Sequence, residues 1–258
     1  MHTDYLVRCS RSAFKNITWL FAGVCFFYVT SFAQSARPSK KSPAEDPFPA
    51  INIDIREHLK VFMDSAEGAI YRISICADVP NNKKPLQVAY HQETGHVFLV
   101  LQKISAANDT VSRVFGFYPK RGLQTLLFKK THSRIKDNSL REHDAVISKE
   151  LSAKQFDTVL SKAITYAGRK YHMNRYNCYD YALAIFNCAA GEVSLPVNHI
   201  RFPFIFGRGG SPCSVYKDLQ KLLLSGPVWK PHIMFGELIA PVSNGREKGL
   251  PAKLLANQ

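Results

Sequence analysis

The 258-residue sequence lacks the spacings that mark a metal or nucleic-acid site. Its six cysteines include no Cys-x-x-Cys pair, and its nine histidines include no His-x-x-x-His pair. Zinc sites usually need one of these arrangements. There is also no arginine-rich helix, zinc knuckle or RNP-type aromatic motif. We therefore expect no bound metal, no other cofactor and no nucleic-acid partner.

Acidic residues are scarce as well. The chain has 20 Asp and Glu against 34 Lys and Arg, which gives a net charge of +14 at pH 7. The basic residues are scattered rather than clustered, so they indicate a generally solvated surface and not a dedicated binding patch. Such a surface suits contact with the anionic polymers or lipid head groups of a cell envelope.

The first 33 residues have the pattern of a secretory signal peptide. Basic residues between Arg8 and Lys15 precede the apolar run 17–29, and Ser31 and Ala33 are the small residues of a cleavage site. The alternative is a membrane anchor, for which the apolar run is short. Cleavage after Ala33 would remove three basic residues and one acidic residue and leave a net charge of +12. We expect an exported protein, periplasmic or extracellular.

Composition divides the rest of the chain. Residues 34–50 (QSARPSKKSPAEDPFPA) are rich in serine, proline and charge, which predicts a flexible linker. A single folded domain is expected over 51–240, followed by a loose C-terminal tail at 241–258. Within the domain, Ile51–Met63 is ambiguous between a strand and a short helix.

The hydrophobic patterns predict an α+β domain, in which an antiparallel sheet packs against helices. No internal repeat is visible. A capping box formed by Ser152 and Gln155 marks the start of one helix. The predicted strands are 69–76, 86–90 and 145–147, a hairpin is predicted from His96–Gln102 and Val111–Tyr118, and the predicted helices are 153–167, the one beginning at Cys178, and 214–224.

The stretch YNCYDYALAIFNCAAG, residues 176–191, contains the most informative cysteine. Asn177 is a favoured N-cap residue and Asp180 follows three residues later, so Cys178 takes the first helical position. Unpaired N–H groups and the positive end of the helix dipole favour a thiolate there and could stabilise an oxyanion. Cys178 also lies on the apolar stripe of the helix, which fits a buried core cysteine. Gly191 is expected to end the helix.

A cysteine nucleophile needs a base, which is usually histidine. His96 is the strongest candidate because Gly95 precedes it and a predicted strand begins with it. A rigid strand would hold the ring, and the glycine would permit a close approach. The alternative is an ordinary surface or edge-strand histidine. The other histidines that follow the predicted leader are His58, His91, His132, His143, His172, His199 and His232.

These motifs together resemble a circularly permuted NlpC-type papain-fold domain, over roughly residues 69–220. The motifs are GHVFLVL (95–101), GFYP (116–119) and YNCYDYAL (176–183). A Leu-Pro pair and a Gly-Gly-Ser-Pro segment follow them. Histidine before cysteine is the order of the branch that includes the lecithin:retinol acyltransferase-like proteins. This set of motifs is more closely similar to that of an exported bacterial group of such domains. The segment Ser-Phe-Ala-Gln (31–34) is similar to signal-peptide ends common in Bacteroidetes.

The resemblance implies a catalytic pair, with Cys178 as nucleophile and His96 as general base. The pair would attack an amide, ester or thioester through an acyl-enzyme. In such domains a third polar group, on a neighbouring strand, orients the imidazole. No Asp, Asn or His lies at that place in VSRVFGFYP (111–119). His143 and Asp144 are the nearest downstream options, and a glutamine or a backbone carbonyl could substitute.

Other residues near the pair have less specific roles. Tyr176 and Tyr181 could line a substrate groove, although aromatic packing explains them equally well. Asn177 is expected to act as a cap or at the oxyanion, and Asp180 as a cap residue. The segment 207–212 (GRGGSP) lacks the Gly-Lys-Ser/Thr of a phosphate loop, so a loop flanking the active cleft is the better prediction.

The expected function is therefore that of an exported thiol hydrolase, a cysteine peptidase or amidase acting on a cell-envelope amide such as a peptidoglycan peptide. A lipid acyl hydrolase or acyltransferase could use the same site. A third possibility is a non-catalytic envelope-binding module in which Cys178 is structural or disulfide-bonded. An oxidising compartment would favour one or two disulfides without selecting pairs among Cys76, Cys178, Cys188 and Cys213. The oligomeric state stays open.

Overall fold

The computed structural model describes residues 50–63, 68–90, 93–121, 130–189, 194–203 and 207–243. The signal peptide predicted at 1–33, the linker up to residue 49 and the tail from residue 244 lie outside these ranges and stay predictions. None of the helices within the described ranges combines the length and apolar character needed to cross a bilayer.

Most of the strands form one seven-stranded antiparallel sheet, in the order β1-β6-β4-β3-β2-β7-β11. Its strands are β1 (Asn52–Ile53), β2 (Ile70–Asp78), β3 (His96–Ile104), β4 (Thr110–Pro119), β6 (Ser133–Asp137), β7 (Glu142–Leu151) and β11 (Ile233–Ile239). Two small sheets pair β5 (Lys130–Thr131) with β8 (Tyr171–His172), and β9 (His199–Arg201) with β10 (Arg208–Gly210).

Four α-helices accompany the strands in the described part of the chain. They are α1 (Ile55–Leu59), α2 (Ala153–Ala167), α3 (Cys178–Cys188) and α4 (Pro212–Ser225), with 3₁₀ turns at Lys60–Phe62 and Pro227–His232. The predicted capping box of α2 is present, because Ser152 accepts from the backbone of Gln155 and the Gln155 side chain accepts from the backbone of Ser152. The α+β class with an antiparallel sheet packed against helices is thus confirmed.

The predicted hairpin is confirmed, with β3 and β4 paired in the register Phe98 to Gly116. The ambiguous segment 51–63 contains both a short strand and a helix. The strand predicted at 86–90 is wrong. There the Gln87 carbonyl accepts from the Cys213 thiol at 3.2 Å, and the Gln87 side-chain amide donates to the Ala89 carbonyl, so both carbonyls are bonded to side chains instead of to a neighbouring strand. Strands β6 and β11 were not expected.

The sheet has two buried faces, and successive side chains of β3 and β4 alternate between them. Val97, Leu99 and Phe117 belong to the main core with residues of α2 and α3. Phe98 belongs to a smaller cluster on the other face, which also contains Cys76, Val100, Val114, Val146 and Ala240. Burial on both faces explains why β3 reads as a continuous apolar run. His96 stacks on Phe98, with ring centroids 6.2 Å apart, so its ring belongs to the second face.

Candidate active site

The first turn of α3 is fixed by a complete capping box around Asn177. Its Oδ1 accepts from the N–H groups of Tyr179 at 2.9 Å and Asp180 at 3.4 Å, and the Asp180 carboxylate accepts from the Asn177 N–H at 2.9 Å. The Asn177 amide nitrogen donates to the carbonyls of Met173 and Gly210. Asn177 therefore acts as the cap and has no amide hydrogen left for an oxyanion. The cap leaves the N–H of Cys178 itself for that role.

Cys178 begins α3 as predicted, but its thiol is neutral. Only 9 % of the residue is exposed, and burial raises the pKa of the thiol to about 11. The N–H of Val97, the N–H of Tyr179 and the charge of Arg141 lower that pKa, while the charge of Asp180 raises it. The Tyr179 N–H of the first turn lowers the pKa of the thiol, but burial raises it by more. The thiolate expected from the helix start is thus not the resting state.

Cys178 and the strand that carries His96 approach each other at one end of the sheet. The Cys178 sulfur is a hydrogen-bond neighbour of the Val97 N–H, and Val97 directly follows His96 in β3. Tyr118 is common to both: its ring stacks on His96 with centroids 4.2 Å apart, and Cys178 is among the groups that raise its pKa. The topology brings together residues that are 82 positions apart in the sequence.

His96 is a buried, neutral imidazole, with 5 % of its surface exposed. Burial lowers its pKa well below the ordinary value, and the charges of Arg141 and Lys136 lower it further. A neutral ring is able to accept a proton at pH 7. Of its two nitrogens, Nε2 is among the buried side-chain atoms of the described residues that have no hydrogen-bond partner. An acceptor beside Nε2 would satisfy it and leave Nδ1 as the basic nitrogen.

A candidate for that acceptor is Asn138, which follows β6. A Cβ placed on Gly116 would overlap both His96 Nε2 and Asn138 Oδ1, so both atoms border the space above this glycine. Asn138 is 2 % exposed, and its Oδ1 is also a buried atom without a hydrogen-bond partner in the described part. Its Nδ2 donates to the Tyr118 hydroxyl, which orients the amide. A bond from Nε2–H to Oδ1 would satisfy both atoms.

Asn138 thus approaches the His96 ring from the side of β6, which makes it a candidate orienting residue beside the predicted His143. His143 lies on β7, and β2 separates β7 from β3. The His143 ring packs edge-on against Phe98, with its Nδ1 3.4 Å from the Arg141 carbonyl. Asp144, the other downstream option, accepts from the Val79 N–H at 2.7 Å. None of these contacts joins His143 or Asp144 to the ring of His96.

Asn138 was not among the predicted site residues, because the third polar group was expected on the strand next to that of His96. Asn138 comes from one strand further, and it reaches across β4 because position 116 has no side chain. The signal was present in Gly116, since a glycine inside a central apolar strand often marks a close approach. The residue that meets it could not be found without the pairing of β4 with β6.

Arg141, which forms an ion pair with Asp78, supplies positive charge to the site. Arg141 donates to the Asp78 carboxylate through Nη2 at 2.5 Å and Nε at 3.1 Å, with side chains 28 % and 24 % exposed. Asp78 is the partner of His96 across β2 and β3. Arg141 lowers the pKa values of Cys178, His96 and Tyr118, so its field covers the whole site.

Tyr181 and Tyr176, the two residues predicted to line a groove, both pack against Phe117, but Tyr181 is more deeply buried. Tyr181 is 1 % exposed, stacks on Phe117 at 4.9 Å and donates its hydroxyl to the Ala163 carbonyl at 3.0 Å. It is a core residue and does not line a groove, which corrects the prediction. Tyr176 is half-buried and packs edge-on against Phe117 at 5.4 Å, with the Arg169 guanidinium over its ring.

Two glycine-containing segments close around the pair. Gly95 has a φ of +69°, and a Cβ there would meet the Asp78 carbonyl and, at 2.8 Å, Cγ of Pro212. The segment 207–212 holds β10, and its Gly210 accepts the hydrogen bond from Asn177. The loop predicted to flank the cleft therefore packs against the start of α3.

The four described cysteines, Cys76, Cys178, Cys188 and Cys213, are free thiols. The described residues contain no cluster of three or more His, Cys, Asp or Glu side chains that could hold a metal ion.

Comparison with known proteins adds no further assignment. No protein-family model matches the chain, and no curated protein or solved structure is similar to it.

Replacing Gly116 by alanine tests the contact above β4. The added methyl group would overlap His96 and Asn138, so Gly116→Ala should lower the free energy of unfolding by about 1–3 kcal/mol. Gly226→Ala is the control, because nothing lies within 4 Å of a Cβ there, and it should change stability by less than about 0.5 kcal/mol. Urea denaturation measures both. Equal stability of the two variants would show that His96 and Asn138 do not meet over Gly116.

The pKa of Cys178 predicts how its alkylation depends on pH. Because the pKa is raised to about 11, the rate with iodoacetamide should rise about tenfold per pH unit from pH 7 to pH 10 without a plateau. Arg141→Gln removes a charge that lowers this pKa and should slow the reaction at every pH. Arg72→Gln breaks a more exposed ion pair with Glu150 and should not. A plateau near pH 7 would contradict the neutral resting thiol.

Proposed function

We propose that the chain is an exported thiol hydrolase with a permuted papain-like fold, in which Cys178 attacks an amide and His96 is the general base. The observation that carries the proposal is that His96 Nε2 and Asn138 Oδ1, two buried atoms without a hydrogen-bond partner in the described part of the chain, both border the space above Gly116. Burying two unsatisfied polar atoms costs free energy that a purely structural site would avoid. Their bond would fix the tautomer in which Nδ1 accepts a proton.

The reaction begins from a neutral thiol and a neutral imidazole. As the Cys178 sulfur attacks the substrate carbonyl, its proton passes to Nδ1 of His96. The order of the two pKa values means that no ion pair forms at rest, so proton transfer and attack are coupled. The imidazolium then protonates the leaving amine, which gives an acyl-enzyme. Water, deprotonated by the same ring, releases the acid and restores the thiol.

The start of α3 suits the oxyanion of this reaction. The Cys178 N–H lies at the positive end of the helix dipole and is not used by the Asn177 cap. The nearby charge of Arg141 also favours a negative transition state.

Chain order supports the permuted fold. The strand that carries the base, β3, precedes the helix that carries the nucleophile, α3, and both belong to the same main core. This is the order implied by the resemblance of GHVFLVL and YNCYDYAL to permuted NlpC-type domains. The signal-peptide pattern and the net charge of +14 favour a cell-envelope substrate.

The non-catalytic alternative also has an observation in its favour. Cys178 is 9 % exposed and its pKa is raised, as in a structural core cysteine. An envelope-binding module would retain the fold and dispense with chemistry. A direct test of covalent catalysis separates the two functions.

The test is acyl transfer from p-nitrophenyl acetate to the purified protein at pH 7.5, followed by peptide mass spectrometry. An enzyme should acquire an acetyl group on Cys178. His96→Gln should slow this step by about 100-fold or more, and Asn138→Ala by about 10- to 100-fold. Cys188→Ser is the matched control, because it removes another free thiol, at the far end of α3, and should leave the rate unchanged.

Two results would contradict the proposal: no acetylation of Cys178, or acetylation whose rate does not depend on His96. Either would favour the binding module. For an active protein, release of amines from envelope peptides, against release of fatty acid from phospholipid vesicles, distinguishes the amidase from the lipid acyl hydrolase.

A further inference from the structure

A cavity of about 270 Å³ lies beside the candidate site, bounded by the first turns of α4, the β9 segment and residues 86–88. Leu86, Val88 and Ile200 supply apolar walls, and the remaining lining is polar. A volume of this size accommodates one small residue of a substrate.

Two contacts connect the surroundings of the cavity to residues beside Cys178 and His96. Pro212, the first residue of α4, packs against Gly95, which directly precedes His96. His199 lines the cavity, and its Nε2 lies 3.1 Å from Oδ1 of Asp180 in the first turn of α3. The cavity therefore lies near the first turn of α3 and near the residue that precedes His96.

The cavity contains a hydrogen-bond donor without an acceptor. Ser214 is 5 % exposed and lines the cavity, and its Oγ has no hydrogen-bond partner among the described residues. A buried hydroxyl is normally bonded. An acceptor atom from a ligand would satisfy it.

The charges of the cavity favour an anion with a single charge. Lys217 and Lys221 are exposed, lie one turn apart on α4 and line the opening. Asp218 also lines the cavity; it is buried and accepts from Nδ2 of Asn198 at 2.7 Å. Two ammonium groups against one carboxylate leave a positive excess. The same carboxylate would repel a doubly charged phosphate.

We propose that this cavity is a substrate subsite that binds the carboxylate of a short peptide, with Ser214 as a hydrogen-bond donor and Lys217 and Lys221 as the neutralising charges. The apolar walls take the small side chain that accompanies the carboxylate. Because the subsite is assigned to the substrate of Cys178, it rests on the function proposed above and narrows its substrate to peptides with an acidic group near the cleaved bond.

The experiment measures binding of acetyl-alanyl-alanine and of its C-terminal amide to the purified Cys178→Ala variant by calorimetry. The acid should bind at least about tenfold more tightly than the amide. The double variant Lys217→Gln/Lys221→Gln should weaken binding of the acid by about tenfold, and Ser214→Ala by a similar factor. Lys154→Gln, an exposed lysine on α2, is the control and should change nothing.

Equal affinity for the acid and the amide would overturn the proposal, as would an affinity that does not respond to the lysine and serine changes. Inorganic phosphate that binds as tightly as the acid, with the same dependence on the variants, would also overturn it. The variant lacks the nucleophile, so binding is independent of catalysis. Acid-specific binding with no acetylation of Cys178 in the intact protein would leave the subsite standing and reject the hydrolase.

Discussion

The arrangement of the site depends on the missing side chain at position 116. β4 lies between β3 and β6, so a residue after β6 would ordinarily be screened from β3 by the side chains of β4. Gly116 removes that screen, and Asn138 reaches the ring of His96 above it. The amide is held in turn by the Tyr118 hydroxyl, and the Tyr118 ring stacks on His96. One glycine therefore makes room for the approach of Asn138 to His96.

Burial has opposite effects on the pKa values of Cys178 and His96. It raises the pKa of Cys178 to about 11 and lowers that of His96 well below its ordinary value, because both charged forms are poorly solvated. The site accordingly rests without charge on either group. Arg141, held by Asp78, is the cation that would favour negative charge when it develops. A neutral thiol beside a neutral imidazole is the resting state expected for general-base activation of the thiol, and not for a preformed thiolate.

Local signals in the sequence were sufficient for elements whose ends are set by neighbouring residues. The Ser152 and Asn177 capping boxes predicted the starts of α2 and α3, and the alternation in β3 and β4 predicted the hairpin. The sequence did not reveal Asn138 as the partner of His96, because that contact depends on how β6 pairs with β4. The sequence left Tyr181 open between a groove and the core for a similar reason: its place in the core follows from packing of α3 against Phe117. The predicted helix end at Gly191 lies outside the described residues, in which α3 ends at Cys188.

The position of the proton on His96 decides whether its Nδ1 is free to act as a base, and nitrogen-15 NMR of histidine-labelled protein at pH 7 measures it directly. We expect a neutral ring protonated on Nε2, with Nδ1 unprotonated. Asn138→Ala should shift the Nε2 resonance and change the tautomer ratio, while His132→Gln, which alters an exposed histidine, should leave the His96 signals unchanged. A ring protonated on Nδ1, a charged ring, or signals that do not respond to Asn138→Ala would show that Asn138 does not orient His96 as a neutral base.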